Sequence, residues 1–121
     1  MALKILSIDD EPAMTLLVSI LLKTYGMEVI ECNWGSEGVE LVRSEAPDLV
    51  LLDMMMPGMN GLEVCQAIRA FSAVPIMAYS ALSDPEQIEK ALKSGFNAYL
   101  EKPSSSEILV ERIRQLTGHE E

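Results

Sequence analysis

The segment Leu49-Val50-Leu51-Leu52-Asp53-Met54-Met55-Met56-Pro57-Gly58-Met59-Asn60-Gly61 carries a structural signal and a chemical one together. Four consecutive apolar residues bounded by turn formers suit a strand buried on both faces. The run ends on a carboxylate, Asp53, before the turn-forming Pro57-Gly58 and Asn60-Gly61. An acid in that place stands where a buried strand leaves the core, aimed at whatever binds beyond it. A turn alone needs no carboxylate there, because Gly58 and Gly61 already supply its chemistry.

Working outward, the same device recurs. Leu3 to Ile8 is apolar but for Lys4 and Ser7 and ends on Asp9 and Asp10; Val74 to Tyr79 ends on Ser80; a fourth run ends on Lys102. Strands are expected at Lys4–Ile8, Met27–Cys32, Asp48–Asp53, Val74–Tyr79 and Asn97–Glu101. Helical periodicity fills the intervals. Pro12–Tyr25 places Met14, Leu17, Leu21 and Tyr25 on one stripe and stops at Gly26. Gly35–Glu45 ends before Pro47, and Gly61–Phe71 turns Leu62, Cys65, Ile68 and Phe71 inward. Pro85–Ser94 follows a capping box at Ser83-Asp84-Pro85-Glu86 and closes at Gly95. Ser106–Leu116 turns Ile108, Leu109, Ile113 and Leu116 inward, with Ser104 and Glu107 as its capping box. Five strands alternating with five helices define an α/β fold, a doubly wound parallel sheet with helices on both faces.

The bulk properties bound the function. The 121 residues, 49% of them hydrophobic, make one domain able to bury a sizeable core. The expectation is a single domain over residues 1–121, with a frayed tail at 118–121. No apolar run reaches the roughly 18 residues that span a bilayer, and Met1 to Lys4 lacks a signal-peptide pattern. Two cysteines, Cys32 and Cys65, without metal-ligand spacing read as free thiols of a cytoplasmic protein. A formal net charge of −10 argues against nucleic acid or an anionic membrane as a direct partner.

In an open α/β sheet, ligands bind beyond the carboxyl ends of the strands. If these runs are neighbouring parallel strands, Asp9, Asp10 and Asp53 converge with Ser80 and Lys102 on one rim. Three carboxylates that close repel one another, and a hard divalent cation with oxygen ligands such as Mg²⁺ relieves them. With Lys102 and that cation the charges of the three acids balance to zero. A carboxylate so neutralised can attack phosphorus and carry an acyl phosphate, whose oxygens the metal, Lys102 and Ser80 would hold.

Over nearly its whole length the chain resembles the receiver domain of two-component response regulators, and chemotaxis-type single-domain receivers in particular. The matching elements are Ile8-Asp9-Asp10-Glu11, Leu51-Leu52-Asp53, Met56-Pro57-Gly58-Met59-Asn60-Gly61, Ser80-Ala81 and Tyr99-Leu100-Glu101-Lys102-Pro103. The resemblance implies a flavodoxin-like strand order of 2-1-3-4-5. It implies Asp53 as phosphoacceptor and a metal site of Asp9, Asp10, Asp53 and the main-chain carbonyl of Met55. Mg²⁺ is the metal, with Mn²⁺ as a substitute. Ser80 and Lys102 become the phosphoryl contacts, Ser80 and Tyr99 the switch, and Lys102–Pro103 a bond that is cis in many relatives. The implied partners are a sensor histidine kinase or phosphotransfer protein upstream, or a small phosphodonor. Downstream stands a protein target or a fused output domain. Such a domain is not an enzyme beyond its own phosphorylation and dephosphorylation.

The sequence departs from the commoner family pattern at Met55, Ala81 and Leu82, which border the acyl phosphate. It departs also at Ser104, where an aromatic commonly follows Lys-Pro, and at Ala98, where DNA-binding relatives often carry an Asp. Blander roles stand beside these assignments. Asp10 also suits a helix N-cap, Tyr99 a half-buried strand aromatic, and Met54-Met55-Met56 flexible core filler. Trp34 and His119 have no argued role. Alternatives of other classes are a pseudo-receiver that binds partners without phosphorylation, an aspartate-nucleophile phosphatase and a flavin carrier. The phosphatase pattern Asp-x-Asp is absent from the first strand, and no Ser/Thr/Gly-rich phosphate loop follows it.

Overall fold

The computed structural model describes residues 2–119. Ten elements alternate: β1 (Lys4–Ile8), α1 (Pro12–Lys23), β2 (Glu28–Cys32), α2 (Gly35–Glu45), β3 (Leu49–Leu52), α3 (Gly61–Arg69), β4 (Ile76–Ser80), α4 (Pro85–Lys93), β5 (Ala98–Glu101) and α5 (Ser106–Thr117). All strand pairs are parallel, in the order β2-β1-β3-β4-β5. This is the doubly wound, flavodoxin-like order that the resemblance implied.

Because side chains alternate along a strand, each strand feeds two cores. Leu6, Ile8, Val50, Leu52, Ile76 and Ala78 pack with Val42, Val64, Cys65, Ile68 and Ala91 of α2, α3 and α4. Ile5, Leu49, Leu51, Met77 and Leu100 pack on the other face with Val18 and Leu22 of α1 and Leu109, Val110 and Ile113 of α5. Every residue of β3 is buried, which is why its sequence reads as an unbroken apolar run.

The helix faces differ from expectation. On α1 the buried residues are Thr15, Val18, Ser19 and Leu22, whereas Leu17 and Tyr25, placed on the inner stripe, are exposed along with Leu16 and Ile20. Leu16 to Leu22 is apolar almost all round, so periodicity cannot select a face, and the small Thr15 and Ser19 go inward. On α5, Val110 is buried in place of Ile108, which is 46% exposed. The caps shift by one residue. Asp84, not Ser83, accepts from Glu86 N–H at 3.0 Å, and Ser105, not Ser104, accepts from Ile108 N–H at 3.2 Å. Gly118, in the left-handed region, ends α5, and His119 N–H donates to the Arg114 carbonyl. Of the tail expected to fray, Glu120 and Glu121 lie outside the described residues. No described helix is long and apolar enough to cross a membrane.

Candidate functional site

The register sets the site. Ile8 pairs with both Cys32 and Leu52, so β1 and β3 end at the same level. The next residues remain tied to the sheet: Asp9 N–H donates to Cys32 and Asp53 N–H to Ile8, each at 3.0 Å. Neighbouring strands thus deliver Asp9 and Asp53 together to the carboxyl rim, at the point where strand order reverses. Oxygens of Asp9, Asp10 and Asp53 all lie within 4.8 Å of one another. Asp9 and Asp53 are buried and Asp10 is the more open of the three.

Local geometry holds each acid. Asp9 accepts from Glu11 N–H at 3.0 Å and Asp53 from Met55 N–H at 3.2 Å, both across two residues. Asn33, just beyond β2, donates to the Asp9 carbonyl at 2.8 Å and to the Thr15 hydroxyl oxygen at 3.1 Å. The α1 N-cap is Glu11 and makes no side-chain cap bond, so Asp10 does not cap that helix. The turn after Asp53 brings α3 against the strand exit. A Cβ at Gly61 would stand 2.6 Å from the Asp53 carbonyl oxygen and 2.7 Å from the Met54 Cα. Gly58, at φ +74°, makes the turn itself. Gly61 therefore serves close approach rather than turn conformation.

Lys102 arrives from the end of β5. Its N–H donates to the Ser80 carbonyl at 2.8 Å, and the Lys102–Pro103 bond is cis. The Lys102 ammonium donates to Asp9 Oδ2 at 2.6 Å and stands 3.6 Å from Asp53 Oδ2. Burial alone would lower its pKa. The hydrogen bond to Asp9 and the charges of Asp53, Asp9 and Glu11 together outweigh burial and hold the ammonium above its ordinary value.

Ser80 is fully buried, and its hydroxyl accepts from Leu82 N–H at 3.3 Å. Tyr99 is half-buried and donates its hydroxyl to the Leu82 carbonyl. Burial raises the Tyr99 pKa, with Asp53 and Glu101 adding to the effect and Ser80 and Lys102 offsetting it. One residue of the β4–α4 loop, Leu82, is thus gripped by Ser80 at its N–H and by Tyr99 at its carbonyl. Of the methionine run, Met54 and Met56 are core filler as expected, but Met55 is 55% exposed beside the site.

A cavity of about 10 Å³ lies beneath the acids, bounded among others by Ser7, Asp9, Met14, Asp53 and Tyr79. Ser7, Thr15, Asn33 and Tyr79 were not singled out from the sequence. The available signals were Ser7 interrupting the apolar run of β1 and Asn33 directly ending β2.

Three close carboxylates are an all-oxygen donor set that fits a hard divalent cation. Asp9, Asp10 and Asp53 are the side chains able to hold one.

A parallel 2-1-3-4-5 sheet with this acid cluster defines a class of signalling domain, and sequence comparison agrees. The response regulator receiver domain pattern matches residues 5–114, and the chain belongs to that family. It is similar to the DNA-binding response regulator MtrA of Mycolicibacterium smegmatis, with 40% identity over 92% of this chain and 49% of that protein. It is also 40% identical to part of the sensor protein GacS of Pseudomonas syringae pv. syringae, covering 95% of this chain and 13% of that one. Among solved structures, the BeF3-activated N-terminal receiver domain of Klebsiella pneumoniae RstA superposes with a TM-score of 0.90. That match has 30% identity and covers 94% of this chain and 97% of that one. The chain spans about half the length of MtrA and a smaller share of GacS. Receiver domains are signalling domains of two-component systems, working with histidine kinases and output domains rather than as metabolic enzymes.

Proposed function

We propose that this domain is phosphorylated on Asp53 by a histidine kinase or phosphotransfer protein and that the modification alters a partner-binding surface. The observation that carries the reading is the sharing of Lys102 by Asp9 and Asp53, with Asp10 completing three carboxylates within 4.8 Å. A carboxylate oxygen of Asp53 forms the new P–O bond while the P–N bond to the donor imidazole breaks. That nitrogen leaves with the electron pair and takes a proton. A small phosphodonor such as acetyl phosphate reacts in the same way, with acetate leaving.

In this reading Asp9, Asp10, Asp53 and the main-chain carbonyl of Met55 hold Mg²⁺, or Mn²⁺ in its place. When bound, the ion supplies positive charge to the transferring phosphoryl oxygens. Lys102 moves its ammonium from Asp9 to a phosphoryl oxygen, and the Ser80 hydroxyl turns to another. Ser80 then releases Leu82 N–H, while Tyr99 still grips the Leu82 carbonyl. Phosphorylation is thereby coupled to the β4–α4 loop and to the surface formed by α4, β5 and α5. The partner that senses this surface is a separate protein or an output domain joined to this one, and the site is that of a cytoplasmic signalling pathway.

The test is labelling with acetyl phosphate and Mg²⁺, followed by mass spectrometry. One phosphoryl group on the wild type and none on Asp53→Asn is expected. Retention of the label in that variant would overturn the assignment. Ser80→Ala should keep metal affinity yet weaken the change in partner affinity on phosphorylation.

A further inference from the structure

Tyr79 occupies a position that the reading above does not use. It is half-buried on β4, one residue before Ser80, on the opposite face of the strand. There it bounds the small cavity beneath Asp9 and Asp53. The Lys102 ammonium stands 5.6 Å from the centroid of its ring, within the range of a cation–π contact. At the other end of the ring, the Ser104 hydroxyl donates to the Tyr79 hydroxyl at 3.4 Å. Tyr79 therefore touches the Lys102-Pro103-Ser104 segment twice, once at the charged side chain and once two residues later.

We infer that Tyr79 is a positioning residue for Lys102, holding its ammonium at the rim through the ring face and fixing the ring through Ser104. The reason lies in the lysine's own chemistry. Four rotatable bonds let an ammonium wander, and it has no planar fork to define a direction. In the structure Lys102 has only carboxylates as polar anchors among the described residues, Asp9 at 2.6 Å and Asp53 at 3.6 Å. A bound cation would draw on both anchors, and conversion of Asp53 to an acyl phosphate would change that anchor again. The ring face persists through both events, because it is neutral and lies on a central strand.

The inference rests on the proposed function only for its consequence, the placing of Lys102 on a phosphoryl oxygen. The contact itself is testable separately. The experiment compares wild type, Tyr79→Phe, Tyr79→Leu, Tyr79→Met and Ser104→Ala in the full chain. The first readout is the NMR signal of the Lys102 ε-methylene protons, which a facing ring displaces upfield. Displacement kept in Tyr79→Phe and lost in both Tyr79→Leu and Tyr79→Met is expected; an unchanged signal in the ringless variants would overturn the inference. The second readout is the rate of acetyl phosphate labelling at saturating Mg²⁺. The ringless variants should label at least about two- to fivefold more slowly, the range of the weaker cation–π contacts. Tyr79→Phe should restore most of the rate, and Ser104→Ala should lie between. Two ringless variants of different shape separate loss of the ring from loss of packing, and Mg²⁺ affinity should be the same in all. Wild-type rates in Tyr79→Leu and Tyr79→Met would overturn the positioning role even with the NMR contact present. Failure of the wild type itself to label would instead strike the proposed function, leaving the lysine signal to decide the contact.

Discussion

Asp9 and Asp53 are buried side by side, an arrangement that low-dielectric surroundings penalise unless a cation stands between them. Lys102 fills that place, and the raised pKa of its ammonium is the mark of the pairing. Since the folded value lies above the ordinary 10.5, the contribution to stability is complete below 10.5 and is lost as pH rises through the folded value. Cys32 behaves in the same sense for a different reason. Burial, aided by Glu37, pushes its thiol from 9.0 up to about 11, and Cys65 is raised as well, by burial. For Cys32 the favoured form is neutral, so its contribution is intact below pH 9.0 and drains as pH rises through about 11. The thiolate is the reactive species. At pH 8 native Cys32 should therefore react with iodoacetamide at least about 100-fold more slowly than the same residue in urea, the thiolate ratio of two pKa units adding to exclusion of the reagent from a buried side chain. A mass-spectrometric time course checks this, and equal rates in the two states would contradict the burial argument.

The elements around β3 show how local structure places chemistry. Asn60 caps α3 in a reciprocal box with Glu63, each side chain meeting the other's N–H at 3.0 Å. Asn60→Ala should cost about 1 kcal/mol in urea unfolding, as lost caps do, with the rate of Asp53 labelling unchanged. Gly61→Ala should cost about 1–3 kcal/mol as an overpacked contact and should also slow labelling, because the new methyl group presses on the Asp53 peptide. A Gly61→Ala variant that labels normally would show that the strand exit tolerates displacement. β1, β3 and β4 were legible because burial on both faces leaves an apolar run, although β4 starts at Ile76 rather than Val74. β2 and β5 are only partly buried and were read from their place between helices. Asp9, Asp53 and Ser80 were legible because each directly ends such a run and Asp10 because it adjoins Asp9, whereas Lys102, behind the charged Glu101, was legible chiefly through the family resemblance. The face of α1 was not, since Leu16 to Leu22 offers apolar residues on every side and the choice falls to the small Thr15 and Ser19. The caps of α4 and α5 slipped by one because Ser83-Asp84 and Ser104-Ser105 each offer adjacent oxygens. Asn33 and Tyr79 acquire their site contacts only through strand pairing, which brings residues far apart in sequence onto one rim.

Across the whole molecule, 19 acidic residues stand against 9 basic ones, and the net charge of −10 repels itself throughout. Any salt screens that repulsion, so a cation effect on stability does not by itself reveal a site. The rim separates the two contributions, because three of the acids are clustered and two of those are buried. General screening should depend on ionic strength alone and treat all exposed acids alike. Binding at the cluster should add a saturable term of about 2.7 kcal/mol when free Mg²⁺ reaches 100 times its dissociation constant. Urea unfolding at matched ionic strength, with NaCl or MgCl₂ and then with EDTA, isolates that term. The excess stabilisation by Mg²⁺ should vanish with EDTA and fall sharply in Asp10→Asn, whose side chain is the most open of the three and least entangled with Lys102. Asp10→Asn and a control such as Glu40→Gln on the exposed face of α2 each remove one charge, so they should respond equally to NaCl. If MgCl₂ stabilises both variants as it does the wild type, the cation acts on the net charge and the carboxylate cluster is not its site.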